Sequence, residues 1–356
     1  MTAAKLAKAL NLSRTTVSLV LNGRAERYGL SRQTVEKVIS GAKRLNYQPD
    51  PVARQLAGMR SNVVGILVSS ACVVDPRLIE RMEILAAERQ LRFIVGHAIG
   101  DAAKVKEYLQ DFRARRVDAL VSFHHNHPSY EGAVLDELRQ MEQVLYYEKP
   151  AARMPNAWYV EVDYDEMGRA AARRFIASGR RRVGLVGLSE TIYPVLRRRR
   201  LGFQRALREA GLAHGPELVW RVDERRSLRW NEAPTQAEAE AVIDELVARQ
   251  RCDAIFAVND LFAARLVAAL RRAGRTVPGD VAIIGADNMD ISTLIDPQIT
   301  TIDVQIDDLA RATVGLLFEM LGRRDEGPAA AGAPAAARSS SRGITVKPQL
   351  VVRESA

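Results

Sequence analysis

The chain has 356 residues, 47% of them hydrophobic, and a formal net charge of +9. Such a length supports one small and two medium globular domains. No apolar run reaches the roughly 20 residues that a membrane helix needs, so no membrane-spanning helix is expected. The charge is unevenly placed: residues 1–60 hold eleven Lys/Arg against three Asp/Glu, and the remaining 296 residues hold 41 against 40. A small basic head on a balanced body points to a polyanion-binding module joined to something else.

The head reads as three short helices. Thr2 can cap a helix to about Leu10, with Leu6, Ala7 and Leu10 on one face. Asn11-Leu12 makes a tight turn. Ser13 then caps a second helix to about Asn22. Val17, Val20 and Leu21 point inward, while Arg14, Thr15, Ser18, Leu19 and Asn22 lie on or beside the other face. Asn22-Gly23 ends this helix. Ser31 caps a third, with Val35, Val38, Ile39, Ala42 and Leu45 as its apolar stripe. Two short helices around a tight turn, braced by a third, make a helix-turn-helix, with the second helix free for the major groove. A plain three-helix bundle has the same periodicity; the segregated charge and the next segment favour DNA. In that segment Pro49 and Pro51 force extended backbone. Val52 to Ala57 makes barely two helical turns before Gly58, too few to be stable alone in water. It is expected to fold only when something else orders it.

From residue 62 onward short β-rich runs alternate with helical stretches. Expected strands are 63–68, 91–96, 119–123, 144–147, 183–187, 218–222, 254–258 and 281–285. Expected helices include 75–89, 167–178, 201–210, 235–249 and 261–273. The alternation means α/β, with doubly wound parallel sheets covered by helices. About two sets of six strands are implied, hence two lobes with a cleft between them. Residues 325–343 are low in complexity and read as a flexible loop before a final strand. Cys72 and Cys252 have no metal spacing and read as buried thiols in a reducing cytosol. The first residues carry no signal-peptide pattern, so a cytoplasmic location is expected. There is no nucleophile elbow, phosphate-cradling glycine loop or zinc signature. An enzyme is therefore not expected, nor a cofactor or metal. His124-His125-Asn126-His127 leaves open a polar loop, a ligand contact or a metal site.

"LAKALNLSRTTVSLVLNG", "VEKVISGAKRLNYQPDPVARQLAG" and the terminal "LVVRES" resemble the lactose-repressor (LacI/GalR) family of bacterial transcription regulators. The resemblance runs from about residue 2 to 355. It implies a helix-turn-helix head at 1–48 and a hinge at 49–60. It also implies a periplasmic-binding-protein-like body, one lobe from 61–161 with 291–323 and the other from 162–290 with 324–356. Arg14, Thr15 and Leu19 match base-facing positions; Thr16, Ser18 and Asn22 match phosphate contacts. Leu19 stands where the family commonly has Arg. An arginine takes guanine bidentately, whereas leucine at best touches a thymine methyl. Leu56 matches an apolar wedge that parts the central base step in the minor groove, and Ala53 the residue beside it. A linker leucine packed on the next domain is the plainer reading of Leu56.

In the cleft, Arg199 matches an effector-gripping arginine, and its neighbours Arg197, Arg198 and Arg200 read as a solvated face. Asp287 matches an aspartate that binds sugar hydroxyls. Of the pair after strand 254–258, Asn259 is favoured as a ligand contact and Asp260 as a helix cap. Tyr147 either stacks on a sugar ring or is a buried strand tyrosine. The implied function is a repressor that binds double-stranded operator DNA as a homodimer and answers to a sugar or polyol effector. A solute-binding protein of the same body fold is the runner-up, but it would need an export signal and no basic head. The tail offers no leucine heptad, so a dimer rather than a tetramer is expected.

Overall fold

The structure is a computed structural model that describes residues 2–21, 23, 25–47, 60–68, 74–98, 101–123, 132–150, 157–227, 232–322 and 342–356. They divide into two compact units, Met1–Asn62 and Val63–Ala356.

The first unit holds α1 (Ala3–Ala9), α2 (Arg14–Leu21) and α3 (Arg32–Arg44), with a single 3-10 turn at Glu26–Tyr28 before α3. Each helix starts at a hydroxyl: Lys5 N–H donates to Thr2, Thr16 N–H to Ser13 and Thr34 N–H to Ser31. These bonds satisfy backbone donors that a helix start leaves open. Leu6, Ala7, Leu10, Val17, Val20, Val38 and Ala42 form the buried core. The stripe expected on α3 is narrower in the structure. Ile39 is 56% exposed and Leu45 36%. Gly41 explains the shift, because a Cβ there would lie 2.4 Å from the Leu10 side chain. The helices meet along the Val38, Gly41 and Ala42 edge, which turns Ile39 outward.

The second unit holds twelve strands among the described residues: β1 (Val63–Val68), β2 (Arg92–His97), β3 (Ala119–Phe123), β4 (Val144–Tyr147), β5 (Trp158–Val162), β6 (Val183–Gly187), β7 (Val219–Arg221), β8 (Ala254–Phe256), β9 (Ala282–Ala286), β10 (Thr300–Asp303), β11 (Gly343–Val346) and β12 (Gln349–Val351). They form two six-stranded sheets, ordered β11-β5-β4-β3-β1-β2 and β12-β10-β9-β8-β6-β7. The pairings are parallel except β10 with β12, which is antiparallel. The helices that matter for the site are α4 (Val74–Ala87), α5 (Ala102–Ala114), α6 (Ala133–Arg139), α7 (Tyr164–Ala177), α8 (Val195–Glu209), α9 (Gln236–Val242), α10 (Asp260–Arg272) and α11 (Ile306–Met320). Helix α9 continues as a π-helix from Ile243 to Arg249.

The chain passes between the sheets in a different order from the expected lobe boundaries. Strand β10, expected in the first lobe with 291–323, pairs with β9 in the second sheet. Strand β11, expected in the second lobe with 324–356, pairs with β5 in the first. The polar look of β10 hid its place. Thr300 and Thr301 are fully buried, the first through bonds with Ser355 and Ala356 and the second through Asp260. Three segments thus join the lobes, at 162–164, 303–306 and 346–349. Helix α8 begins at Val195, six residues before the expected 201, and α7 at Tyr164 rather than 167. Among the described residues no helix is long and apolar enough to cross a membrane.

Candidate functional site

In open parallel sheets ligands bind beyond the carboxyl ends of the strands. Here both sheets turn those ends toward one narrow cavity. The first lobe contributes Val74 at the start of α4, and Tyr147 and Glu148 at the end of β4. The second contributes Tyr164 and Met167 of α7, Tyr193, Leu196 and Arg199 around α8, Asp287 after β9 and Val304 after β10. Apolar walls with a few converging polar groups suit a small organic ligand.

Arg199 is one of four consecutive arginines, and helical spacing sorts them. Val195, Leu196, Arg199, Gly202, Phe203 and Ala206 form the buried face of α8. Arg197 points to solvent. Arg198 and Arg200, expected on a solvated face, are partly covered and paired with Glu161 and Glu190. Arg199 is 3% exposed. Its Nη1 donates to the Val258 carbonyl at 2.9 Å, and its guanidinium lies 5.2 Å from the Phe256 ring centre. Its Nη2 is buried with no hydrogen-bond partner. Burial pushes its pKa down, against the charge of Asp287.

Asp287 occupies left-handed backbone at φ 87, followed by Asn288 at φ 46. Its N–H donates to the Ile302 carbonyl at 2.8 Å. Its carboxyl is buried, and Oδ2 has no hydrogen-bond partner. Burial raises its pKa to about 6, while Arg199 and Arg77 hold it down. A buried unpaired donor or acceptor costs about 1–3 kcal/mol. Arg199 and Asp287 each carry such an atom, a donor on the one and an acceptor on the other, and both residues line the same cavity.

Tyr147 lines the cavity with its ring 4.9 Å from that of Phe123. Beside it, the buried Glu148 accepts a hydrogen bond from the Tyr164 hydroxyl at 3.3 Å. Tyr164 and Tyr193 were not singled out as site residues by the sequence; Tyr164 follows β5, a strand whose apolar run is broken by the buried Glu161.

At 259–260 the helix cap is Asn259 rather than the expected Asp260. Asn259 is the cap of α10, its Oδ1 accepting from Phe262 N–H at 2.9 Å. It is 1% exposed and stands outside the cavity lining. Asp260 does not cap. Its carboxyl accepts from the Thr301 hydroxyl at 2.6 Å and from Met289 N–H at 2.7 Å. The extended backbone of Asn259 turns its own side chain onto the helix start, whereas Asp260 already lies inside the first turn.

In the head, Arg14, Thr15 and Ser18 are exposed on α2. Leu19 is half-buried, and so is Thr16, whose hydroxyl lies 2.8 Å from that of Ser13. Asn22, Ala53 and Leu56 lie outside the described residues, as do Cys72 and the histidines at 124, 125 and 127. Among the described residues no group of three or more metal-binding side chains converges. Cys252 is buried, which pushes its thiol pKa up to about 12.

A profile of the periplasmic binding protein-like domain matches residues 172–356. Among curated proteins the chain is similar to the HTH-type transcriptional repressor PurR of Photobacterium profundum, 26% identical over 355 residues, 98% of this chain and 97% of that one. It is also similar to PurR of Klebsiella pneumoniae, 28% identical over 356 residues, 98% of this chain and 95% of that one. Among solved structures, the lac repressor dimer bound to operator and the anti-inducer ONPF matches with a TM-score of 0.79 at 20% identity, covering 100% of this chain and 98% of that one. The transcriptional regulator CelR in complex with cellobiose matches with a TM-score of 0.68 at 23% identity, covering both chains fully.

Proposed function

The chain belongs to the LacI/GalR family of regulators built on the periplasmic binding protein-like domain, and from that premise we propose that it is a repressor whose hold on operator DNA is set by a small polyol or sugar in the body cavity. The observation that carries the effector half is the pair of buried unpaired atoms, Arg199 Nη2 and Asp287 Oδ2. A vicinal diol suits them both: one hydroxyl accepts from the guanidinium and another donates to the carboxylate. The tyrosines and the apolar wall supply contact for the carbon face of such a ligand. Asn259 enters this reading only through its amide nitrogen, since its oxygen caps α10.

The head supports the DNA half. Arg14, Thr15 and Leu19 read base edges; Thr16, Ser18 and Asn22 grip phosphates; Ala53 and Leu56 work in the minor groove of the operator centre. Two copies meet a two-fold operator. Ligand changes the angle between the lobes, and that angle sets whether the paired hinge segments fold on the duplex. The coupling is a free energy shared by the two sites.

The test is selection of bound duplexes from a random library by the purified protein, repeated at several salt concentrations. A palindrome bound with steep salt dependence is expected. Compounds that weaken or strengthen that complex are then tested on Arg199→Ala and Asp287→Ala. Folded variants that keep the full response refute the site. A protein that selects no duplex under any ligand refutes the regulator.

A further inference from the structure

The turn after β9 is held from many directions. Asp287 and Asn288 are consecutive non-glycine residues in the left-handed region, a conformation that persists only where its surroundings over-determine it. Within the second lobe, Arg353 Nη2 donates to Asn288 Oδ1 at 2.8 Å, and Asn288 Nδ2 donates to Asp303 Oδ2 at 2.9 Å. Met289 N–H donates to Asp260 at 2.7 Å. One further support comes from the other lobe. Arg77, on α4, donates from Nη1 to the Asp287 carbonyl at 2.9 Å and from Nη2 to the Asn288 carbonyl at 3.3 Å. Helix α4 packs on α11 and alongside β2, on the first sheet.

We propose that Arg77 is a positioning residue for Asp287 and a latch between the lobes: its fork grips both carbonyls of the strained turn, and so aims the unpaired carboxyl oxygen into the cavity, only while α4 faces that turn. The ligand role of Asp287 is the one proposed above, and the latch rests on it. Opening the lobes draws α4 away and breaks both bonds at once. The turn then loses its cross-lobe support, and the carboxyl its aim. By reciprocity, a ligand that needs the aimed carboxyl favours the closed arrangement. The fork matters here. Arginine presents a rigid fork of parallel donors to two acceptors, whereas a lysine ammonium is a point charge on a flexible stem with no fixed fork. Arg77 also contributes charge. The ionisable groups acting on the Asp287 carboxyl are Arg199 of α8, Arg77 and Asp75 of α4, and Asp303 of β10.

The experiment uses the full chain without ligand, as parent, Arg77→Met and Arg77→Lys. Two quantities are read: amide exchange of residues 287–289, and the titration of the Asp287 carboxyl by carbon NMR. In Arg77→Met, exchange at 288 and 289 should rise about tenfold while α4, β3 and β8 keep parental protection. The carboxyl should titrate at higher pH than in the parent. Arg77→Lys should restore the titration and leave exchange faster than in the parent, since an ammonium on a flexible stem does not fix both carbonyls as a rigid fork does. Exchange at 287–289 equal to the parent in Arg77→Met overturns the proposal. So does a rise spread evenly through the body, which marks a general loss of stability. Neither readout needs a ligand, so the latch fails or stands apart from the ligand role of Asp287, which fails instead if Asp287→Ala keeps the parental effector response.

Discussion

Gly168 of α7 and Arg199 of α8 are so close that a Cβ on the glycine would lie 2.0 Å from the Arg199 carbonyl oxygen. The contact is reciprocal along the crossing, for a Cβ on Gly202 would lie 2.2 Å from the Asp165 carbonyl. Two glycines thus let the helix backbones touch, and the touch fixes how far the Arg199 side chain reaches past Phe256. Gly168→Ala or Gly202→Ala must push the helices apart. Overpacking of this kind costs about 1–3 kcal/mol, and scanning calorimetry should show Tm lowered by several degrees. The same variants should lose effector response while still binding DNA. Parental Tm in both would mean that the helices separate freely and that the contact does not set the arginine.

The buried carboxyl of Asp260 gives the body a pH dependence of definite sign. Burial raises its pKa from 3.8 to about 8, against the bonds from Thr301 and Met289. Between those values the folded chain holds a proton that the unfolded chain has released. Stability from this group therefore falls as pH rises from about 4 to about 8, and is level above. Asn is the neutral analogue, so Asp260→Asn should match the parent near pH 5 and exceed it in Tm near pH 9. A gap that stays constant across that range would count against a proton on Asp260.

Cys252 should be inert in the folded chain. With its pKa near 12, about one thiol in ten thousand is ionised at pH 8. Alkylation by iodoacetamide, followed by peptide mass spectrometry, should leave Cys252 unmodified until denaturant is added. Rapid native labelling would show that the strand 254–256 opens on the timescale of the reaction.

Leu19→Arg tests how the head reads bases. Leucine offers no hydrogen bond, so the parent should select sites without a guanine preference at that position. The arginine variant should gain guanine at one symmetric position in each half-site, by about tenfold in affinity for a good bidentate contact. Repeat duplex selection measures it. An unchanged consensus would place residue 19 away from the groove.

The fold class was legible because apolar strand runs such as Val63–Val68 and Ala119–Phe123 are buried on both faces, so hydrophobicity alone marks them. Strands β5 and β10 escaped for the opposite reason. Their polar residues, Glu161, Thr300 and Thr301 among them, are satisfied by partners distant in sequence, such as Arg198 and Ser355. No local pattern announces such a partner. Arg199 and Asp287 were visible through resemblance of their surroundings. Arg77 was not, because its acceptors are backbone carbonyls 210 residues away or more. That the cap is Asn259 rather than Asp260 was hidden as well. Composition shows that one of two adjacent residues caps a helix, and only backbone angles decide which.

Of the three segments that pass between the sheets, the first and the third are tied together, Asp163 N–H donating to the Val346 carbonyl at 2.9 Å. Three ribbons clamped at both ends behave as a flexure does in a machine. They bend easily about the line across them and resist twisting or sliding. The lobes therefore have close to one soft coordinate. On the function proposed above, whatever occupies the cavity acts through a single number, an angle. Ligands of quite different shape that set the same angle should be indistinguishable to the DNA, and a ligand that fills the cavity without setting the angle should be silent.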